Sequence, residues 1–255
     1  MRSEFVPKVL LTATLAAASA DASATTIAYA SQLDFGNIDY LRLDLEGHSQ
    51  NIGAITLVPA AGAFAGDDYS TQYVVHSTVA DLFSIDVQEP HLHLIGTMDI
   101  GGRRPTGMHW DPSSSQMYLI AQDSPCTTTT LYVVSTSNAA TFEIGSTPRC
   151  IVGFAIDAAG EGFGIDEDGS ALVSIDIGTG AAATIGPLGI EVGTLIGGLD
   201  VDPSTGELDL FGPAGRYVVD TSQGSTTLVA TYDFAPLGIS LAIQADTILA
   251  DGFDP

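Results

Sequence analysis

The sequence of 255 residues has very few cations: one lysine and six arginines stand against 31 acidic residues, so the formal net charge is −24. A surface with this charge repels phosphate backbones and anionic lipid headgroups. We therefore expect no nucleic-acid partner and no binding to anionic membranes. The charge balance instead favours solubility and the attraction of divalent cations.

Long apolar runs are also missing. Beyond residue 24, each apolar run is soon broken by Asp, Gly or Pro, whereas a membrane-spanning helix needs about 20 apolar residues. No stretch of this region has helical periodicity. Short segments rich in Val, Ile, Leu and Tyr recur instead, separated by Gly and Asp, which is a pattern typical of β-strands. The sequence predicts an all-β protein without membrane insertion.

Motifs of several enzyme classes are absent. The chain has no G-x-S-x-G nucleophile elbow, no H-E-x-x-H zinc motif and no P-loop. Ser and Thr are abundant, but they cluster in predicted turns and exposed strand positions. We therefore assign no catalytic residue from motifs.

The first 24 residues have the order of a secretory signal. Arg2 and Lys8 precede an apolar, Ala-rich segment at 9–20, and small residues follow it. Twelve apolar residues are too few for a membrane anchor. We expect export, with cleavage after Ala24, to the periplasm, the outer surface or the medium. The predicted organisation is a signal peptide at 1–24, one domain at 25–246 and a tail at 247–255.

Cysteine is scarce: Cys126 and Cys150 are the only two. A pair of cysteines in an exported protein predicts a disulfide bond.

A repeat of about 44 residues organises the rest of the chain. Its marker is a strand that ends in a small or acidic residue. The five copies of this marker are 40–44, 82–86, 131–135, 172–176 and 216–220. Other predicted strands fall at matching offsets around each marker, so that the fifth copy has four strands. They are Leu195–Val201, Glu207–Phe211, Arg216–Thr221 and Thr226–Tyr232.

Five copies of four strands predict a five-bladed β-propeller with four-stranded antiparallel blades. The first copy starts at its second strand, Ile27–Ala30, whereas Ile239–Ile243 is left over after the fifth. If this last strand is the innermost strand of blade one, the ring is closed and two open sheet edges disappear. A β-sandwich would also have many short strands, but it explains neither the repeat nor the spare strand.

Blades four and five carry a familiar pattern. Residues 172–186 fit L-x-x-I-D-x-x-T-G…I-G, and residues 198–206 fit G-L-x-x-D-P-x-T-G. These segments resemble the repeats of secreted bacterial β-propeller-like proteins, which are largely uncharacterised. Residues 251–254 also resemble a short D-G-F-acidic ending of exported Gram-negative proteins. The resemblance implies a propeller fold and export, and it implies no reaction.

The predicted channel offers few polar groups. His109 and Asp111 flank Trp110, the only tryptophan, on a predicted innermost strand. The other predicted innermost strands begin mostly with glycine and apolar residues, which disfavours a metal-dependent active site in the channel. His91 and His93 alternate on a predicted outer strand, and two imidazoles on one face can reach one metal, but no third ligand is nearby.

Calcium is the one cofactor that the composition favours. Asp166 and Asp168 precede a turn glycine, and Asp67 and Asp68 form a second acidic pair. Neither segment has the full D-x-D-x-D-G…E loop, and Asp-Gly is also an ordinary hairpin turn. Both readings stay open.

Two functions follow from these observations. The first is an exported binding or scaffold module that holds a protein or glycan on a loop face. The second is a channel-centred hydrolase or lyase, metal-dependent or not, in which His109 and Asp111 take part.

Overall fold

The computed structural model describes residues 25–34, 37–192, 198–212, 214–232 and 237–244. These residues form twenty β-strands and no helix. The strands are β1 (Thr25–Asp34), β2 (Asn37–Asp44), β3 (Ser49–Ile55), β4 (Pro59–Ala65), β5 (Asp68–His76), β6 (Asp81–Asp86), β7 (Leu92–Thr97), β8 (Arg104–Asp111), β9 (Gln116–Gln122), β10 (Thr129–Val134), β11 (Thr141–Thr147), β12 (Ile151–Ile156), β13 (Gly162–Asp166), β14 (Ala171–Ile175), β15 (Ala182–Pro187), β16 (Gly198–Val201), β17 (Leu208–Gly212), β18 (Gly215–Val219), β19 (Thr226–Ala230) and β20 (Leu237–Gln244). The predicted signal peptide and tail lie outside the described residues.

The strands form five sheets of four antiparallel strands, which are the blades of a propeller. Their orders are β20-β1-β2-β3, β4-β5-β6-β7, β8-β9-β10-β11, β12-β13-β14-β15 and β16-β17-β18-β19. The first strand of each order lies innermost, and the five innermost strands contact one another around a ring. The predicted five-bladed β-propeller is therefore confirmed, and each of the five sequence markers lies on the third strand of its blade.

The ring closes through the last strand. β20 pairs antiparallel with β1, so that Thr25 lies opposite Gln244 and Ala28 lies opposite Leu241. The closing strand begins two residues earlier and ends one residue later than the sequence indicates. Blade one thus joins both ends of the described chain, and its inner edge is covered.

Burial decreases from the centre of each blade to its rim. Every residue of β12, β13 and β17 is buried, whereas the outer strands β7 and β19 are mostly exposed or half-buried. The inner strands have both faces covered by neighbouring blades, which explains why they lack polar alternation.

Five hydrophobic clusters fill the spaces between blades. Each one joins two neighbouring sheets, including the last and the first. Between blades one and two, the ring of Tyr29 stacks on Tyr40 with centroids 6.1 Å apart and meets Phe64 edge-on. Because each blade buries its faces against its neighbours, no blade has a core of its own.

A glycine on the outer strand fixes the contact between successive blades. Each outer strand has a β-bulge, and in blades three and four a glycine, Gly145 or Gly186, follows it. A Cβ atom on Gly145 would lie 2.1 Å from the Thr179 carbonyl oxygen, and one on Gly186 would lie 1.9 Å from that of Gln223. These carbonyls belong to the turn before the outer strand of the next blade. The Ile-Gly element of the repeat is therefore an inter-blade contact.

The disulfide bond between Cys126 and Cys150 is confirmed, with Cα atoms 5.1 Å apart. It links the β9–β10 loop of blade three to the connection between β11 and β12.

Candidate functional site

The loops divide between two faces of the ring. In antiparallel blades, the turn after each innermost strand and the turn before each outer strand lie on one face, which we call the mouth face. The remaining turns and the connections between blades lie on the other, the disulfide face, where Cys126 and Cys150 are found. Among the described residues, no helix is long and apolar enough to cross a membrane.

The channel is nearly closed toward the disulfide face. The space there is about 20 Å³ and is lined by residues such as Gly62, Gly107 and Gly153, which is room for about one water molecule. A Cβ atom on Gly107 would lie 2.6 Å from Cβ of Phe154. The predicted glycine-rich strand beginnings therefore let the innermost strands approach one another closely.

At the mouth face the channel widens into a cavity of about 300 Å³, which we call the mouth cavity. Its walls come from the innermost strands and the turns that follow four of them. Its lining is Ala63, Phe64, Gly66, Asp67, Tyr69, His109, Trp110, Pro112, Ile156, Ala158, Asp200, Val201, Pro203 and Leu241. A mostly apolar cavity with a few convergent polar groups is the usual form of a small-molecule site.

The central polar pair of this cavity joins blades three and five. Nε2 of His109 lies 2.7 Å from Oδ1 of Asp200, and Nδ1 of His109 lies 2.8 Å from the carbonyl oxygen of Trp110. Both ring nitrogens face oxygen acceptors, so both contacts are hydrogen bonds when the imidazole carries two protons.

Both carboxylate oxygens of Asp200 accept hydrogen bonds from the backbone. Besides His109, its Oδ1 accepts a hydrogen bond from the Val201 N–H at 2.8 Å, and its Oδ2 accepts one from the Leu241 N–H at 2.6 Å. The bond to Leu241 links β16 to the closing strand β20. Asp200 therefore positions His109 and ties blade five to blade one.

Blade five has two further carboxylates close to Asp200 in the strand ladder and in the following turn. Asp209 lies directly opposite Asp200 across β16 and β17, and Asp202 accepts a 2.6 Å hydrogen bond from Oγ1 of Thr26 in blade one. Burial raises the pKa of Asp202, but the hydrogen bonds from Thr26 and Ser204 outweigh this effect and lower it. Burial also raises the pKa of Asp209, to about 7, and here the opposing effect of Arg216 is too small to reverse it.

Asp67 and Tyr69 form the opposite wall in blade two. Desolvation raises the pKa of the Tyr69 hydroxyl, and the charges of Asp67, Asp200 and Asp202 raise it further. The hydroxyl group therefore lies in a negative electrostatic potential. Asp67 itself makes no hydrogen bond or ion pair with any other residue that the structure describes.

The two predicted channel residues have different places. His109 lines the mouth cavity, and so does Trp110 beside it. Asp111 is buried in the β8–β9 turn, where it accepts hydrogen bonds from the N–H and hydroxyl groups of Ser113 and Ser114. Burial raises the pKa of Asp111, but these bonds outweigh it and lower the pKa. Asp111 thus stabilises a turn, and Asp200 is the carboxylate that meets His109.

The four candidate calcium ligands lie on opposite faces, so they do not form one site. Asp67 is in the β4–β5 turn at the mouth face, and Asp68 is the first residue of β5, where it accepts hydrogen bonds from Ser70. Asp166 forms an ion pair with Arg149 near the disulfide face, and Asp168 is in the adjacent turn. Calcium binding by either pair stays a prediction.

Among the residues that the structure describes, two other groups of side chains come close enough to hold a metal ion. Cys126, Cys150 and Glu167 form one group, but the sulfur atoms are bonded to each other. Asp44, Glu46 and His48 form the second, in the exposed β2–β3 turn. His91 and His93, which lie at the exposed start of β7, belong to no such group among the described residues.

Sequence reasoning missed Asp200. The segment was predicted correctly as an innermost strand, but the G-L-x-x-D-P-x-T-G pattern includes Asp200 only as a variable position. The signal that could have found it is the matching pattern of blade three, in which His109 occupies the position of Asp200 relative to the Asp-Pro pair.

Neither a family model nor a curated protein matches this sequence. Among solved structures, a chain of a nidogen/laminin complex is similar, with 15% identity and a TM-score of 0.57 over 86% of this chain and 98% of that chain. A protein of unknown function from Bacteroides thetaiotaomicron has 12% identity and a TM-score of 0.51 over 80% of this chain and 64% of that chain. Likeness at this level of identity shows the propeller fold alone.

Proposed function

We propose that this protein is an exported binding module that holds its ligand in the mouth cavity. The observation that carries the proposal is a cavity of about 300 Å³ that is open at one face and nearly closed at the other. Its walls are mostly apolar, and its few polar groups converge from blades two, three and five. These properties are typical of ligand sites.

The frame of the cavity favours recognition. Apart from Tyr69 on β5, its residues lie on the innermost strands of all five blades or on the short turns that follow them, and these strands are held by inter-blade contacts. A rigid lining loses little conformational entropy when a ligand binds. A small ligand, or one group of a larger protein or glycan partner, fits this frame.

The hydrogen bonds of the polar pair favour binding over catalysis. Each nitrogen of His109 faces an oxygen atom of Asp200 or Trp110, and each oxygen of Asp200 accepts a backbone hydrogen bond. A general base must offer a free lone pair to the proton that it removes. His109 and Asp200 therefore act as a fixed part of the wall.

The alternative function, a channel-centred hydrolase or lyase, is favoured by one observation, the 2.7 Å contact between His109 and Asp200. In that case a substrate would displace Asp200 or Trp110 from the imidazole. Loss of any detected turnover in a His109→Ala variant, with ligand affinity retained, would support this alternative.

Export is part of the proposal. Cleavage after Ala24 would leave β1 whole, because this strand begins at Thr25, and disulfide bonds are typical of oxidising compartments. N-terminal sequencing of the protein recovered from outside the cytoplasm should give Thr25 as the first residue. Recovery of the uncleaved chain from the cytoplasm alone would contradict export.

A pair of variants in one turn tests the ligand site. Ala158 lines the mouth cavity, whereas the adjacent Ala159 does not, and both are exposed. Ala158→Phe should block the cavity, and Ala159→Phe should leave it open. A small-molecule library is screened against both variants and the parent by the fluorescence of Trp110, the only tryptophan.

Compounds that bind the parent and Ala159→Phe, but not Ala158→Phe, would support the mouth cavity as the ligand site. If every compound that binds has the same affinity for the two variants, or if no compound binds, the mouth cavity is not the ligand site. Circular dichroism and thermal melting of both variants show whether the fold is intact.

A further inference from the structure

The charge of the mouth cavity is unbalanced. Two carboxylates, Asp67 and Asp200, line it, and none of the described lining residues is an arginine or a lysine. The nearby Arg216 is paired with Asp209 instead. When His109 carries two protons, it balances Asp200, and the charge of Asp67 remains.

The walls around these carboxylates are aromatic. Phe64, Tyr69 and Trp110 all line the cavity, and the faces of such rings attract cations. The rest of the lining is apolar, so that it suits the carbon skeleton of a ligand.

The negative potential of these carboxylates also acts on a tyrosine that lines the cavity. The pKa of the Tyr69 hydroxyl is raised by desolvation first and then by Asp67, Asp200 and Asp202. Two of these carboxylates, Asp67 and Asp200, line the cavity from blades two and five, so a positive group placed between the two walls interacts with both.

We infer that the mouth cavity binds an organic cation, a primary ammonium group carried on an apolar or aromatic body. This inference rests on the proposed function and names the ligand class of the same site. Phosphates and carboxylates would be repelled. A bare calcium ion needs six to eight oxygen ligands, whereas only two carboxylates are among the described residues that line the cavity, and each oxygen of Asp200 already accepts a backbone hydrogen bond.

The same chemistry has two sources, a free amine and the lysine side chain of a partner protein. The probe for the first is 2-phenylethylammonium, with 2-phenylethanol as its neutral match in size and shape. The probe for the second is Nα-acetyl-lysine amide, with Nα-acetyl-norleucine amide as its neutral match. Trp110 fluorescence reports binding in every titration.

At least one charged probe should bind about fivefold more tightly than its neutral match, a ratio in the range of exposed cation–π and ion-pair contacts. Asp67→Asn should reduce this preference about threefold. The matched control is Asp68→Asn, since Asp68 is adjacent and exposed but does not line the cavity. It should leave the preference unchanged.

The outcomes separate this inference from the proposed function. Equal binding of charged and neutral probes, blocked by Ala158→Phe, would overturn the cation and leave the binding module in place. If Asp67→Asn and Asp68→Asn have the same preference for charged over neutral probes, the assignment of an organic cation to the mouth cavity would also be overturned. Failure of all probes and of the whole library would overturn both.

Discussion

Asp209 and Arg216 form an ion pair inside the interface between the last blade and the first, with Oδ2 of Asp209 3.0 Å from Nη2 of Arg216. Both side chains are buried, and Oδ1 of Asp209 has no hydrogen-bond partner among the described residues. Nη1 of Arg216 also reaches the carbonyl oxygen of Leu45 in blade one at 3.5 Å. The pair links the two blades that close the ring. Because its hydrogen bonds are incomplete, they do not fully offset the free energy that is lost when the two charges are removed from water.

The first prediction concerns pH. Burial raises the pKa of Asp209 from 3.8 to about 7, so between these values the native protein keeps a proton that the unfolded chain has released. The contribution of protonated Asp209 to the free energy of unfolding is fully present below about pH 4. This contribution is lost as the pH rises through 7. The difference is on the order of 4 kcal/mol. Asp209→Asn should therefore be more stable than the parent at pH 8, and this advantage should shrink toward pH 4.

Urea unfolding between pH 4 and pH 8 measures this difference. Asp220 is a suitable control, because hydrogen bonds from Ser222 lower its pKa. The stability that Asp220 contributes is present above its unfolded pKa and is lost only as the pH falls through its lower folded pKa, so Asp220→Asn should differ from the parent by a nearly constant amount between pH 4 and pH 8. A constant difference between Asp209→Asn and the parent across this range would contradict the prediction.

The second prediction concerns Gln72, which joins three strands of two blades. Its side chain is fully buried, its Oε1 accepts a 2.6 Å hydrogen bond from the Tyr40 hydroxyl, and its Nε2 donates to Oγ of Ser240 at 2.8 Å. Gln72→Leu keeps the approximate volume but leaves both hydroxyl groups without this partner. It should lower the free energy of unfolding by about 3 kcal/mol.

A double-mutant cycle tests whether the hydrogen bond is the cause. Tyr40→Phe removes the other partner, and the double variant leaves one unsatisfied group fewer than Gln72→Leu alone. The double variant should therefore be less destabilised than the sum of the single variants, by about 1 kcal/mol. Simple additivity in denaturant unfolding would show that lost volume or shape, and not the hydrogen bond, dominates.

The fold was largely predictable because the propeller repeats one local pattern five times. The marker strands, the G-L-x-x-D-P-x-T-G pattern and the spare closing strand are all local features of the sequence. Residues 46–68 could not be assigned in this way. They contain β3 and β4, whose sequences SQNIGAI and PAAGAFA are rich in small and polar residues and lack β-branched runs. These segments form strands because of the strands and blades that pack beside them, and not because of their own β-propensity.

The site was predictable only in part. His109 could be assigned to the channel because it lies on a predicted innermost strand. Its partner could not, since Asp200 is 91 residues away in sequence and meets His109 only when blades three and five face each other across the ring. Asp111, the carboxylate nearer in sequence, accepts hydrogen bonds from Ser113 and Ser114 of the following turn instead.

The third prediction concerns the glycine contact between blades four and five. A Cβ atom on Gly186 would lie 1.9 Å from a backbone oxygen of Gln223, so Gly186→Ala must push the two blades apart. It should lower the free energy of unfolding by about 2 kcal/mol. Gly169→Ala is the control, because its Cβ atom would meet nothing closer than 3.7 Å. Equal stability of the two variants in urea would mean that the outer strands do not fix the spacing of the blades.

The last prediction concerns the disulfide bond. It joins residues 24 apart in sequence, and a loop of this size stabilises the native state by about 3 kcal/mol in the chain-entropy model. The Cys126→Ser/Cys150→Ser variant should lose this amount in urea unfolding, and a reducing agent should lower the stability of the parent but not of the variant. Ligand binding should stay the same, because the bond lies on the face opposite the mouth cavity. A parallel loss of probe affinity would show that the two ends of the channel are coupled.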